Sequence, residues 1–134
     1  MSFKLSQYPL TIREQHLDTF GHVNNAIYLQ LYEEARWQLI TDGGWGLARI
    51  QQEKKGPVVL DLKLDFKAEL RNRENIVIKT RFKEMKNKLV FTIEQWMEKE
   101  DGKVASTLEL SIGIMDLSER RLIIPPADWM KAIS

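Results

Sequence analysis

The chain has no cysteine, and among its 134 residues there are only two histidines, seven glycines and four prolines. Without thiols there is no disulfide framework, no thiolate metal site and no cysteine nucleophile. The two histidines, His16 and His22, flank Asp18 at a spacing that matches no standard metal-ligand pattern, so no metal and no cofactor are expected. Neither sign of charge is in excess: 20 Lys and Arg stand against 19 Asp and Glu, a formal net charge of +1. A nucleic-acid binder usually carries a clear basic excess, and this chain lacks it. Long apolar runs are missing too. No stretch approaches the roughly 20 apolar residues that span a bilayer, and Met1 to Gln7 shows no apolar run ending in a small-residue cleavage site. The expectation is a cytoplasmic protein without leader or membrane anchor. Repeats, low-complexity segments and breaks in composition are absent as well, which implies a single domain over residues 1–134.

What is present is strong periodicity. Leu10 and Ile12 alternate with Thr11 and Arg13, which predicts a strand over Tyr8 to His16. Leu17 to Asn25 is irregular, with Gly21 and two asparagines as turn formers. From Ala26 to about Thr41 the apolar residues Ile27, Tyr28, Leu31, Tyr32, Ala35 and Leu39 recur at helical steps. Asn24 or Asn25 is a suitable N-cap, and Asp42-Gly43-Gly44 a glycine stop. Trp45 to Lys55 reads as a short helix or turn. After Gly56-Pro57 the pattern is strand-like: Val58 to Leu70 with Leu60, Leu62, Leu64 and Phe66 on one face, then Ile76 to Phe82, then Leu89 to Trp96. A hairpin at Asp101-Gly102 leads into a long strand through Leu108 to Ile114, and a short strand, Arg121 to Ile124, ends at Pro125-Pro126. One strand, one long helix and about five hairpin-linked strands make an α+β protein, an antiparallel sheet curled around a single helix. The second sheet face and the sheet edges are best protected by another copy of the chain.

The segment with the most chemistry is Asp18-Thr-Phe-Gly-His-Val-Asn-Asn25, directly ahead of the helix. A helix N-terminus offers unpaired N–H groups and partial positive charge. Such donors polarise a carbonyl and hold the oxyanion formed on attack. A carboxylate just upstream, Asp18, is the candidate nucleophile or general base. His22 either orients that chemistry or holds the loop. No serine sits in a nucleophile-elbow pattern. Glu33 and Glu34 have no helical ion-pair partner and are read as solvated or as a subunit contact, with a part in the site as the alternative. Arg71, Arg73, Lys83, Lys86 and Lys88 cluster near turns and read as solvated hairpin ends, or as contacts to a nucleotide's phosphates.

The pattern Asp18-x-x-Gly21-His22-Val23-Asn24-Asn25-x-x-Tyr28-Leu29, followed by Glu33-Glu34-Ala35-Arg36, resembles the hotdog-fold acyl thioesterases of the 4-hydroxybenzoyl-CoA thioesterase type. The resemblance is closest to bacterial acyl-CoA thioesterases and extends to plant-type acyl-carrier-protein thioesterases. It implies a hotdog fold, hydrolysis of an acyl-CoA or acyl-carrier-protein thioester, and a homodimer or homotetramer with active sites between subunits. Carried over by position, Asp18 is the catalytic carboxylate, the backbone amide near Asn25 the oxyanion donor, and His22 the histidine beside the acid. Asn24, Tyr28 and Phe20 are expected to border the substrate. The chain departs from relatives at two positions: His16 stands where many have a second aspartate, and Phe20 where plant-type members have asparagine. A non-catalytic module that binds an acyl thioester is the alternative from another class, and a hotdog dehydratase or hydratase the alternative among enzymes.

Overall fold

The computed structural model describes residues 4–134, and Met1 to Phe3, part of the stretch read for a leader, lie outside the described residues. Strand β1 (Leu5–Thr11) opens the chain, and helix α1 (Asn25–Asp42) follows the irregular loop. A short helix α2 (Leu47–Glu53) leads to β2 (Lys55–Phe66), β3 (Asn75–Met85), β4 (Val90–Lys99), β5 (Val104–Asp116) and the three-residue β6 (Arg121–Ile123). A last helix, α3 (Ala127–Ile133), closes the chain. All pairings are antiparallel, in the order β1-β3-β4-β5-β2, and β6 pairs the end of β5. The sheet wraps one long helix, as the sequence predicts.

The core lies between α1 and the inner sheet face. Tyr28, Leu31, Tyr32, Ala35, Leu39 and Ile40 of α1 are buried against Ile78, Phe91, Ile93, Met97, Leu108 and Leu110. A small polar network crosses this interface. Tyr32 donates its hydroxyl to Ser106 Oγ at 2.9 Å. Gln95, 1% exposed, donates to the Tyr32 carbonyl at 3.2 Å and to Thr80 Oγ1 at 2.9 Å, and accepts from Arg36 Nη1 at 2.9 Å. Desolvation of the Tyr32 ring, only partly offset by Ser106, pushes its phenol well above the ordinary range.

Several expectations are corrected. The first strand ends at Thr11, and Glu14–His16 form a single 3-10 turn instead of extending it. Ile12 is fully buried there, and Glu14 turns outward to bind Arg73. In β2 the alternation breaks at a bulge between Val59 and Asp61. Pro57 and Val59 oppose Ile114 and Ile112, whereas Leu62 and Leu64 oppose Leu110 and Leu108. Leu60 is therefore the extra residue and leaves the face assigned to it. The chain does not finish at Pro125-Pro126, since α3 packs Trp129, Ala132 and Ile133 into the core. Apart from these corrections, the outer sheet face carries charge pairs: Lys79 with Glu98, Lys83 with Glu109, and Arg81 with Glu94. Among the described residues β1 and β2 are the two edge strands of the sheet, and Leu60, Leu62 and Phe66 stay exposed on β2.

Candidate active site

The loop ahead of α1 is built by its own hydrogen bonds. Leu17 and Val23 form an antiparallel bridge, and the Asp18 N–H donates to the His22 carbonyl at 2.9 Å. Gly21 supplies the turn with φ +79, a left-handed value that suits glycine. Asp18 Oδ1 accepts from the Phe20 N–H at 2.8 Å and, longer, from the His22 N–H at 3.4 Å. One carboxylate oxygen thus organises the turn, and among the described residues Oδ2 has no hydrogen-bond partner. The Arg13 N–H donates to His16 Nδ1 at 2.9 Å, so the imidazole in the second-aspartate position is spent on its local turn.

Asn24 is the N-cap: its Oδ1 accepts from the Ala26 N–H at 2.9 Å, and its N–H reaches the His16 carbonyl at 3.2 Å. Asn25 Oδ1 shares the same Ala26 donor at 3.0 Å. Among the described residues the Asn25 backbone N–H takes no partner, as first-turn amides do unless something from outside accepts from them.

An open cleft of about 310 Å³ lies at this helix start, lined by His22, Val23, Asn25, Tyr28 and the segment Phe66 to Glu69. Phe66 meets the Tyr28 ring edge-on at 5.0 Å between centroids. His22 Nε2 lies 3.3 Å from Glu69 Oε2. Burial first, then the charges of Glu69 and Glu74, raises the Tyr28 hydroxyl above its ordinary 10.0, so it keeps its proton at neutral pH.

The structure therefore brings His22, Asn25 and Tyr28 together. It gives Asn24 to capping. It does not place Asp18 among the residues lining the cleft, and Phe20 projects into solvent at 83% exposure. Phe66, Lys67 and Glu69 belong to the cleft but carry no motif in the sequence; they arrive through sheet closure. Of the basic residues near turns, Arg71 is bridged to His22 through the backbone and lies 3.9 Å from Glu69, but it is not among the residues lining the cleft. Arg73 is bound to Glu14, Lys83 to Glu109, and Lys86 to the Ser111 hydroxyl. Tyr8 donates its hydroxyl to Glu34 at 2.8 Å, which explains that glutamate without catalysis. Among the described residues no group of three or more His, Asp or Glu is placed to hold a metal ion, and no helix is long and apolar enough to cross a membrane.

Comparison with known proteins now adds to this geometry. The family model of the thioesterase-like superfamily matches residues 12–133. The long-chain acyl-CoA thioesterase FadM of Escherichia coli is 55% identical over 31 residues, a match that spans 23% of this chain and 24% of that protein. A Staphylococcus aureus protein solved in complex with CoA superposes with a TM-score of 0.89 at 17% identity, over 98% of this chain and 83% of that one. A 1,4-dihydroxy-2-naphthoyl-CoA thioesterase from Synechocystis gives 0.87 at 17% identity, over 97% of this chain and 96% of that one. The fold is shared with these structures at full domain length, and the chain belongs to the thioesterase-like superfamily, as a hotdog-fold member.

Proposed function

We propose that the protein hydrolyses an acyl-CoA thioester at the cleft before α1. The observation that carries this is the unpartnered Asn25 N–H at a helix start that lines an open cleft with His22 and the protonated Tyr28. The thioester carbonyl oxygen takes that N–H. Asp18 then attacks the carbonyl carbon, or removes a proton from the water that does. The C=O electrons move onto oxygen and are held by the helix N-terminus, worth on the order of 3 kcal/mol for one such donor. On collapse the C–S bond breaks and CoA leaves as a thiolate, which takes up the proton released from water and needs no metal to depart. On the water route this frees the acid at once; on the direct route a water then hydrolyses the Asp18–acyl anhydride, freeing the acid and restoring the carboxylate. Lys67 lines the cleft and supplies positive charge for the phosphates of CoA, in keeping with the CoA bound by the Staphylococcus aureus relative. Phe66 lies on the free β2 edge, so a second copy paired along that edge walls the open side of the cleft.

One observation favours the alternative of a binding module: an oxygen of Asp18 is committed to its own turn, and the residue is outside the cleft lining. Release of free thiol across a panel of fatty and aromatic acyl-CoAs decides between them. Turnover with at least one member supports hydrolysis. Saturable binding of the panel with no thiol released over hours overturns it in favour of the module.

A further inference from the structure

The walls of the cleft, α1 and β2, continue beyond it. Phe66 lies beside Tyr28, while Pro57 and Val59 lie beside Trp37 and Ile40, so the two elements run antiparallel. At their far end they meet α3 around a second cavity of about 170 Å³. Ile40, Val59, Ile93, Ile112, Trp129 and Ile133 make it apolar. An apolar cavity of about 150 Å³ is enough to hold a benzene ring.

Arg36 lines the same cavity. A guanidinium has five N–H donors and is costly to bury unpaired. Here the structure gives it one bond, to the neutral Gln95 Oε1 at 2.9 Å. Gln95 Oε1 is the acceptor in that bond, while the amide nitrogen, a donor, serves the Tyr32 carbonyl and the Thr80 hydroxyl. Among the described residues no carboxylate forms an ion pair with Arg36; Glu33, at the rim of the cavity, acts on it only through its charge. Desolvation pulls the guanidinium below the ordinary arginine range, as expected for a cation without a counter-ion. Trp129, in the opposite wall, keeps its indole N–H buried without an acceptor.

We propose that this well binds a compact apolar group ending in a carboxylate, the hydrocarbon among the isoleucines and the carboxylate on the free N–H groups of Arg36. Forked pairing of guanidinium and carboxylate is among the strong hydrogen-bonded contacts, and Glu33, the acid lining the well, acts on Arg36 through its charge without making that fork. Arg36 is about 16 Å along α1 from Asn25 at about 1.5 Å per residue. The same chemistry is therefore presented by a free one-ring or short branched acid, and by the far carboxylate of a dicarboxylic acyl thioester whose carbonyl sits at the helix start.

The test uses benzoate, with toluene as the uncharged probe, titrated into the full chain. Trp37 and Trp129 line the well, so their fluorescence reports occupancy, with thermal shift as a second readout. Benzoate binds saturably to the wild type. Arg36→Met weakens benzoate at least tenfold and leaves toluene bound, and Glu33→Gln, which removes the repelling charge, tightens benzoate. Val59→Trp, on the open edge strand, fills the well and abolishes both without touching Arg36, which keeps the test decisive if Arg36→Met does not fold. No saturable benzoate binding, or benzoate binding unchanged in Val59→Trp, overturns the proposal. Hydrolysis then separates the sources. A lower KM for an ω-carboxylated acyl-CoA than for the plain chain, lost in Arg36→Met, assigns the far end of the substrate; equal KM values with benzoate binding intact assign a free acid. The binding arm contains no thioester, so its failure leaves the hydrolysis reading standing, and absent hydrolysis leaves the well standing.

Discussion

Asp18 has two roles in this reading, and they can be separated. Its Oδ1 accepts from the Phe20 N–H, a bond that holds the loop, while the negative charge does the chemistry. Asparagine retains an Oδ1 acceptor in the same position but has no charge. Asp18→Asn is thus expected to melt at the wild-type temperature while kcat for thiol release falls by roughly 10²–10⁴, the range for loss of a general base. Asp18→Ala removes the acceptor as well and is expected to show the same loss of turnover with faster amide exchange over residues 19–23. Unchanged steady-state hydrolysis in the asparagine variant moves the chemistry elsewhere in the cleft. Asn24 offers a contrasting case. It caps α1 through the Ala26 N–H, so Asn24→Ala should cost about 1 kcal/mol in urea unfolding.

At the scale of elements, two contacts position the site from outside it. The C-cap of α1 passes so close to α3 that a Cβ on Gly43 would lie 2.4 Å from the Ala132 Cβ. The Gly43 φ of −82 tolerates alanine, so Gly43→Ala isolates overpacking from backbone strain and should destabilise by about 1–3 kcal/mol in chemical denaturation. Before the loop, Glu14 receives Arg73 on both carboxylate oxygens and ties the 3-10 turn to the β2–β3 connection. The Arg73 bond first, then a backbone bond and Asn72, hold the Glu14 carboxyl down at about 2 instead of 4.5. Because the folded value is the lower one, the contribution of this contact is complete above about 4.5 and is lost as pH falls through about 2. A carboxyl NMR titration with a midpoint near 4.5 would remove the clip. These contacts also mark where local sequence stops informing. The helical run was legible because α1 buries a broad apolar face and begins at a good cap. Helix α3 was not, although Trp129, Ala132 and Ile133 have helical spacing, because it spans seven residues and its cap, Pro126, makes no side-chain bond. The bulge at Leu60 was equally hidden: alternation in one strand says nothing of an extra residue set against its neighbour.

For the molecule as a whole, the half of the cleft that is contiguous in the chain, His22 to Tyr28, could be read from residue types before a helix. The other half, Phe66 to Glu69, reaches it only because the sheet closes, and the part-buried link from Arg36 to Gln95 joins residues far apart in sequence. The proposal that association protects the sheet is carried best by one edge. The outer face is occupied by its own charge pairs, so it has little apolar surface to offer a partner. Strand β2, twelve residues long, is one of the two edge strands, with β1 at the opposite edge, and Leu60 at 45%, Leu62 at 43% and Phe66 at 54% exposure stand along it. The strand carries Lys55, Pro57, Lys63 and a bulge, features that discourage indiscriminate pairing, yet it keeps these three apolar side chains in solvent. We propose that a second copy lies against this edge and covers those side chains. Leu60 lies outside the core pairing with β5, so Leu60→Lys should leave the fold intact, raise the dimer dissociation constant by about tenfold or more, and lower thiol release in step with the dimer population. Light scattering over a dilution series, run beside the activity assay, checks both. A wild-type chain that stays monomeric at micromolar concentration with full turnover would show that one copy completes the cleft alone.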